Sequence, residues 1–549
     1  MKVSFPLFVL SWLIVAFGQP QMSPLLSFLS STCGFALFWI SLFTVKKRFL
    51  SGTLWFLFIQ LVQLSWLASP TYQGIYIIFV YVGLSIGLGL QFGVLTLFSP
   101  QKPPIPLPQC LGIAALWTIM EWSRLHILCG FAWNPVGLAH TGYPIGAQMA
   151  TIWGIFGFSF WVILVNLLAV NLFFDPSKKT LCTWGGMLSF PYIFGLFHMQ
   201  YHDIKKSYFS EPLHVALVQT SLLPDQKVYF HQNGAYYVSP YQQWKNIVLY
   251  LEQCASKKID LIVLPEAALP YSAYATVYKH NSVKNIFENI WGTVDLSPVL
   301  AEPFIEKKEE EIYVSNAFWA QVIANHYDAE VVVGLDDCDG DHNYNSAFHF
   351  IPHKHDSVTR YEKRVLLPLA EYLPFSFLKP FIARYGITQF FTHGKRAKVM
   401  KGKCPLSISI CYEECFSHLM REGRLMGAKL FVNVTNDAWY PSSRLPQQHF
   451  DHGRIRAIEN GVPLIRACNT GVTAGIDSLG RTIDTFQSAK GNFEQERGAL
   501  YLSLNLYVFP TLYTIWGDRF ILFLSFCCLP TLMKRRKNFL AENARSALT

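Results

Sequence analysis

Charge is what this 549-residue sequence has least of: Asp, Glu, Lys and Arg together make up 15% of it, against about a quarter in an ordinary soluble chain. Half of the residues are apolar (51%) and 15% are aromatic, so the composition is not that of an average soluble protein. The missing charge is not missing evenly. From about Glu211 to Leu504 no uninterrupted apolar run occurs, which excludes a membrane span there. No internal repeat is present either. The acidic stretch DDCDGDHNY (336–344) lacks both the DxDxDG order and the closing Glu of an EF-hand loop, which argues against calcium.

What is there, outside 211–504, is a series of apolar runs near 4–18, 24–45, 52–69, 74–98, 109–129, 151–174, 181–199 and 512–533. Each approaches the ~20 residues that a spanning helix needs. The expected organisation is a polytopic α-helical membrane domain of about eight spans. The division is 1–205 (about seven helices), a polar insert at 211–504, and 507–549 with the last helix and a basic tail.

Short loops rich in Lys and Arg stay in the cytoplasm. Lys46-Lys47-Arg48, Lys102, Lys178-Lys179 and Lys534-Arg535-Arg536-Lys537 follow the second, fourth, sixth and eighth runs. Every even span therefore ends inside, and the insert lies on the far side, which in a bacterium is the periplasm. Lys2, a short apolar core, Ala16 and Gly18 also fit a cleaved signal peptide, but the lack of a good small-x-small site favours a retained helix. The net charge of +9 follows from the inside loops and does not indicate nucleic-acid binding.

Within the insert, β-rich runs at 214–219, 261–266, 330–335, 346–351, 405–411, 429–434 and 463–468 alternate with helix-period segments near 238–257, 314–328, 415–426 and 446–460. That is the pattern of a layered α/β domain. Residues 277–312, with the run Lys307-Lys308-Glu309-Glu310-Glu311, read as a solvated loop or helix face, and the acidic, turn-rich 336–344 as a second surface excursion.

Three side chains stand where α/β folds gather chemistry, at or just past strand ends. Glu266 closes LIVLPE, Lys363 lies in YEKRVLLPLAEYLPF (361–375) past an expected hairpin, and Cys411 closes PLSISIC. A neighbouring ammonium and a following helix N-terminus are expected to lower the thiol pKa. A carboxylate can take the thiol proton, and an amine can stabilise an oxyanion. On the residues alone Cys411 stays open among core residue, disulfide partner and nucleophile. Cys254, Cys338, Cys404, Cys415 and Cys468 share its compartment, although pairing with Cys415 has poor geometry.

LPEAALP, YEKRVLLPLAEYLPF, SISICYEECF and NVTNDAWY (433–440) resemble, in order and spacing, the Glu, Lys and Cys blocks of the nitrilase superfamily. With seven apolar runs before the insert and one after it, and with QQHFDHGRIRAIENGVPLIRACNTGVTAGIDSLG (447–480), the chain resembles the apolipoprotein N-acyltransferase family. The resemblance implies an α-β-β-α sandwich and transfer of a fatty acyl chain from a membrane phospholipid to the N-terminal amine of a diacylated apolipoprotein. The route implied is a cysteine thioester, with no cofactor and no metal, in a monomeric protein of the bacterial inner membrane. It gives Glu266 as general base, Lys363 as oxyanion stabiliser and Cys411 as nucleophile, with Glu371, Tyr412 and Glu413 supporting.

A tethered amidase or a catalytically dead scaffold are the alternatives. Two positions depart from the family pattern: Val228 where a Trp is common, and Ala132 where a Pro is usual. Glu121 and Arg124, one turn apart within the fifth run, are expected to pair with each other. His449 and His452 have no evident third partner for zinc. The loops around 268–312 are expected to offer Tyr271, Tyr274 and Trp291 to lipid.

Overall fold

The computed structural model describes residues 4–209, 211–228, 236–375, 390–486 and 492–532, together with Phe377 and Pro380. The chain divides into two compact units, Met1–Lys205 with Pro510–Thr549, and Lys206–Phe509.

In the first unit every apolar run lies on helix: Ser4–Ala16, Pro24–Leu42, Arg48–Gln63, Tyr76–Thr96, Leu107–Ser123, Ala150–Phe174, Lys178–Phe209 and Arg519–Leu532. Three of them, Pro24–Leu42, Tyr76–Thr96 and Ala150–Phe174, are long and apolar enough to cross a membrane. The last run is not continuous, because Gly517 adopts φ 59° and separates Leu512–Trp516 from Arg519–Cys528. The basic cluster at 534–537 lies outside the described residues.

Glu121 and Arg124 are both buried and lie 3.8 Å apart. Neither depends on the other alone. Glu121 Oε1 accepts from Val136 N at 2.7 Å, and Arg124 Nε donates to Gln91 Oε1 at 2.6 Å. Nearby, Asn134 Nδ2 donates to Gln60 and Gln63 at 2.6 and 2.9 Å. Polar groups in so apolar a unit are tolerated because they bond one another.

The second unit holds fifteen strands among the described residues: β1 (Pro212–Gln219), β2 (Leu261–Val263), β3 (Tyr278–Lys279), β4 (Ile305–Lys308), β5 (Glu311–Val314), β6 (Glu330–Asp339), β7 (His342–Ile351), β8 (Lys354–Glu362), β9 (Val399–Met400), β10 (Leu406–Ile410), β11 (Leu430–Thr435), β12 (Leu464–Cys468), β13 (Ala474–Ile476), β14 (Thr482–Thr485) and β15 (Gly498–Asn505). They form two six-stranded sheets, β15-β1-β2-β6-β7-β8 and β14-β13-β12-β11-β10-β9, and a small β3-β5-β4 sheet.

Strand periodicity of two explains the layering. Leu213, Val215 and Leu217 of β1 meet Leu430, Val432 and Val434 of β11 in one core between the large sheets. The alternate residues Ala216 and Val218 turn to a second core, under helices Pro240–Glu252, His280–Trp291 and Asn316–Tyr327. Phe431 and Leu464 turn to a third, beneath Ser417–Leu425 and Leu445–Asn460. The order is helix, sheet, sheet, helix. Strands covered on both faces read as nearly continuous apolar runs, which is why they are legible in the sequence.

Two expectations are refined here. Residues 277–312 are more than a solvated loop or helix face: they form β3, β4, the first half of β5 and helix His280–Trp291. Val283 and Phe287, one turn apart, bury that helix against the core despite its polar composition. Tyr274 and Trp291 accordingly pack against the core. Trp291 stacks on His326 at 3.7 Å, and its Nε1 donates to Glu252 at 2.8 Å. Tyr271 is half exposed. The stretch 336–344 is the turn end of the β6–β7 hairpin, exposed over 338–342 and turning at Gly340 with φ 60°.

Candidate active site

β2 pairs in parallel with β1 and β6, and β10 in parallel with β11, which pairs in parallel with β12. Glu266 follows β2, where the chain still pairs with β6: Leu264 N donates to Val332 O and Ala268 N to Gly334 O, both at 2.8 Å. Lys363 is the first residue past β8, and its N–H donates to Asn345 O at 2.8 Å. Cys411 is the first residue past β10 and takes φ 52°, a left-handed value that a side chain adopts only when its surroundings hold it.

These elements bring Glu266, Lys363 and Glu371 into contact. Lys363 Nζ, almost fully buried, donates to Glu266 Oε1 at 3.1 Å and to Glu371 Oε1 at 2.8 Å. Asn345 Nδ2 ties the same two carboxylates together at 2.8 and 3.0 Å. Burial alone would lower the Lys363 pKa, but Glu266 and Glu371 outweigh it and hold the ammonium well above its usual range.

The Cys411 thiol feels both Lys363 and Glu266. Its pKa is pushed up to about 12, first by burial and then by Glu266, against the pull of Lys363 and His449. This corrects the expectation of a lowered thiol pKa. The thiol, on a half-buried residue, sits beside a carboxylate, and Cys411 opens only a five-residue 3-10 turn, Cys411–Cys415, with little dipole to offer.

Glu413, fully buried, accepts from Ile410 N (2.8 Å), Arg364 N (2.6 Å), Val365 N (3.1 Å) and Tyr361 Oη (3.0 Å). It joins the segment after Lys363 to the strand before Cys411. Tyr412 is buried edge-on to Phe416, with ring centroids 5.0 Å apart.

Further residues belong to the site. Asn345 directly adjoins the stretch 336–344 that reads as an excursion. Lys227 is buried with no hydrogen-bond partner for Nζ among the described residues; burial lowers its pKa to about 8 against the pull of Glu266 and Asp336. Asp336 is pushed up to about 7 by burial and Glu266. Donor atoms of Cys411, Asp437 and His449 lie within 4.8 Å of one another. That set has metal-ligand chemistry, but His449 Nδ1 bonds Asp437 at 3.0 Å and Nε2 bonds the Cys411 carbonyl at 3.1 Å, so neither ring nitrogen offers an uncommitted lone pair.

Two family profiles match the chain: Carbon-nitrogen hydrolase over residues 214–496, and Apolipoprotein N-acyltransferase N-terminal domain over residues 22–168. The apolipoprotein N-acyltransferase of Chlamydia caviae is 33% identical over 543 residues, 94% of this chain and 95% of its own. The chain belongs to the apolipoprotein N-acyltransferase family.

The family's Chlamydia pneumoniae representative is 32% identical over 552 residues, 96% of each chain. Among solved structures, a CN-hydrolase superfamily protein from Xanthomonas campestris is 16% identical over 53% of this chain and 90% of its own, at a TM-score of 0.34. Of the two departures from the family pattern, Val228 is 46% exposed and Ala132 is buried. Asp437 and His449 stand inside family blocks, NDAWY and QQHFDHG, and their place in the sequence was the one signal for them. Asn345 had none.

Proposed function

We propose that this chain transfers a fatty acyl group from a phospholipid, such as the sn-1 chain of phosphatidylethanolamine, to the α-amine of a diacylglyceryl-cysteine lipoprotein. The observation that carries this is the buried Lys363 ammonium held between Glu266 and Glu371, in electrostatic contact with the Cys411 thiol. Membership of the family supplies the substrate class.

In the first half-reaction Glu266 takes the thiol proton as Cys411 Sγ attacks the ester carbonyl carbon. A thiol protonated at rest needs such a base. Lys363 stabilises the tetrahedral oxyanion. Collapse breaks the ester C–O bond, and the lyso-lipid oxygen leaves with the proton from Glu266, which yields the Cys411 thioester. In the second half-reaction the neutral α-amine attacks the thioester carbonyl, Glu266 accepts a proton from its nitrogen, and Cys411 departs and regains that proton. Glu371 and Glu413 hold Lys363 and the nucleophile turn, and Tyr412 packs behind that turn.

The reading includes eight spans with the catalytic unit on the periplasmic side of the inner membrane. Drawing an acyl chain into water costs ~0.8 kcal/mol per CH₂. A unit joined at both ends to membrane segments avoids that cost.

The test uses the purified full-length protein with labelled phospholipid and a diacylated lipopeptide. Label is expected first on Cys411 and then, as an amide, on the peptide. Free fatty acid with an unmodified peptide overturns the transfer reading, and labelling that survives Cys411→Ser overturns the nucleophile.

A further inference from the structure

His449 takes no part in the chemistry above, yet both of its ring nitrogens are engaged next to the nucleophile. It projects from helix Leu445–Asn460 and is 1% exposed. Nδ1 lies 3.0 Å from Asp437 Oδ1, and Nε2 lies 3.1 Å from Glu414 Oε1 and 3.1 Å from the Cys411 carbonyl oxygen. Each ring nitrogen thus faces a hydrogen-bond acceptor, Asp437 Oδ1 at Nδ1 and the Cys411 carbonyl at Nε2, with Glu414 beside Nε2, and a neutral imidazole has a hydrogen for only one of the two acceptors. Both contacts are satisfied only by the imidazolium. The other charged and titratable groups around it are Arg466, which pairs with Glu414, Arg456, and the thiols of Cys411, Cys415 and Cys468.

We propose that His449, held as an imidazolium between Asp437 and Glu414, is a positioning residue for the nucleophile: it pins the Cys411 main chain and places a fixed positive charge beside the forming thiolate. The pinning is visible in the backbone. Cys411 sits at φ 52°, and its carbonyl receives two side-chain donors, His449 Nε2 and Asn433 Nδ2 at 3.1 and 3.3 Å. The charge follows from counting neighbours. Arg456 is balanced by Glu459, 3.2 Å away; of the rest, Asp437 and Glu414 carry two negative charges, and His449 and Arg466 two positive ones. Without the imidazolium, one uncompensated negative charge stands next to a sulfur that must itself become negative. His449 reaches the thiolate through this field and transfers no proton.

The inference rests on Cys411 being the nucleophile. Its test is alkylation of Cys411 in the purified full-length protein, followed on the Cys411 peptide by mass spectrometry, with iodoacetate (anionic) and iodoacetamide (neutral). The ratio of the two rates reports the local potential and cancels changes in access or thiolate fraction, which affect both reagents alike. In His449→Gln, which keeps a donor without the charge, the iodoacetate to iodoacetamide ratio is expected to fall about tenfold. In His449→Lys, which keeps the charge, it should stay within about twofold of the parent. A purely structural role slows both reagents and leaves the ratio alone, and an unchanged ratio in His449→Gln overturns the proposal.

Should neither variant fold, nitrogen-15 histidine spectra of the unsubstituted protein decide. At about pH 8 an ordinary histidine is neutral, so a persisting imidazolium signal is expected and its absence overturns the proposal. Alkylation needs neither lipid nor lipopeptide, so a failure of the acyl-transfer reading leaves both readouts intact, whereas a parent Cys411 inert to both reagents counts against the nucleophile itself.

Discussion

Glu413 shows how one buried residue can set a site it does not enter. Its two oxygens receive three main-chain N–H groups and the Tyr361 hydroxyl, from both sides of the junction between Lys363 and Cys411. Glu413→Gln puts an amide NH₂ where donors converge, leaving at least one buried N–H unpaired at about 1–3 kcal/mol. On the proposed mechanism, thioester formation is expected to drop at least about a hundredfold, since the misplacement falls on the Cys411 turn. Tyr361→Phe, which removes one donor and leaves the main-chain bonds, should lose less than about tenfold. Intact-mass measurement of acyl-enzyme formation distinguishes the two, and equal losses would show that the main-chain bonds are not what matters. At this scale the positions of Glu266 and Cys411 past the ends of β2 and β10 were legible, because apolar or alternating runs mark those strands, and that of Lys363 past β8 was legible from an expected hairpin. Asn345 was not, because a hairpin strand with exposed polar residues looks like a loop.

The elements divide the same way. Central strands β1, β2, β6, β10, β11 and β12 are largely buried and plain in the sequence, β10 as an alternation of Ser with apolar residues and the others as mostly apolar runs. Edge strand β8, KHDSVTRYE, alternates polar residues toward solvent, and β14, TIDT, is mostly exposed. Edges carry such residues because apolar ones would invite pairing with other chains, and that hides them from a reading by hydropathy. The close approach of β6 to the Glu266 segment is a feature of elements rather than of side chains. A Cβ on Gly334 would stand 2.6 Å from Glu266 Cα and from Pro265 O. Gly334→Ala must therefore push back the strand end that carries Glu266, at about 1–3 kcal/mol. A fall in thermal stability is expected together with at least about a tenfold loss of thioester formation. A variant that is destabilised but acylates normally would show that Glu266 follows the displacement without harm.

At the scale of the whole molecule, the pattern of Lys and Arg in the short loops predicts sidedness. Cys338 is exposed in the catalytic unit, and Ser177 lies in the loop before Lys178-Lys179. In cells with a permeabilised outer membrane, a membrane-impermeant maleimide should label Cys338. A cysteine at position 177, introduced as Ser177→Cys, should react only once the inner membrane is opened. The opposite pattern would place the catalytic unit in the cytoplasm and end the periplasmic reading.

The sequence by itself determined the segregation of apolar runs from a polar α/β insert, and the strand ends on which Glu266, Lys363 and Cys411 stand, because hydropathy and periodicity are local properties of the chain. Only the tertiary structure decided that Lys363 sits between two carboxylates, that burial and Glu266 push the Cys411 thiol pKa up, and that His449 is clamped between Asp437 and Glu414. Those outcomes depend on burial and on charges brought together from distant parts of the chain, and neither is written in any one stretch of it.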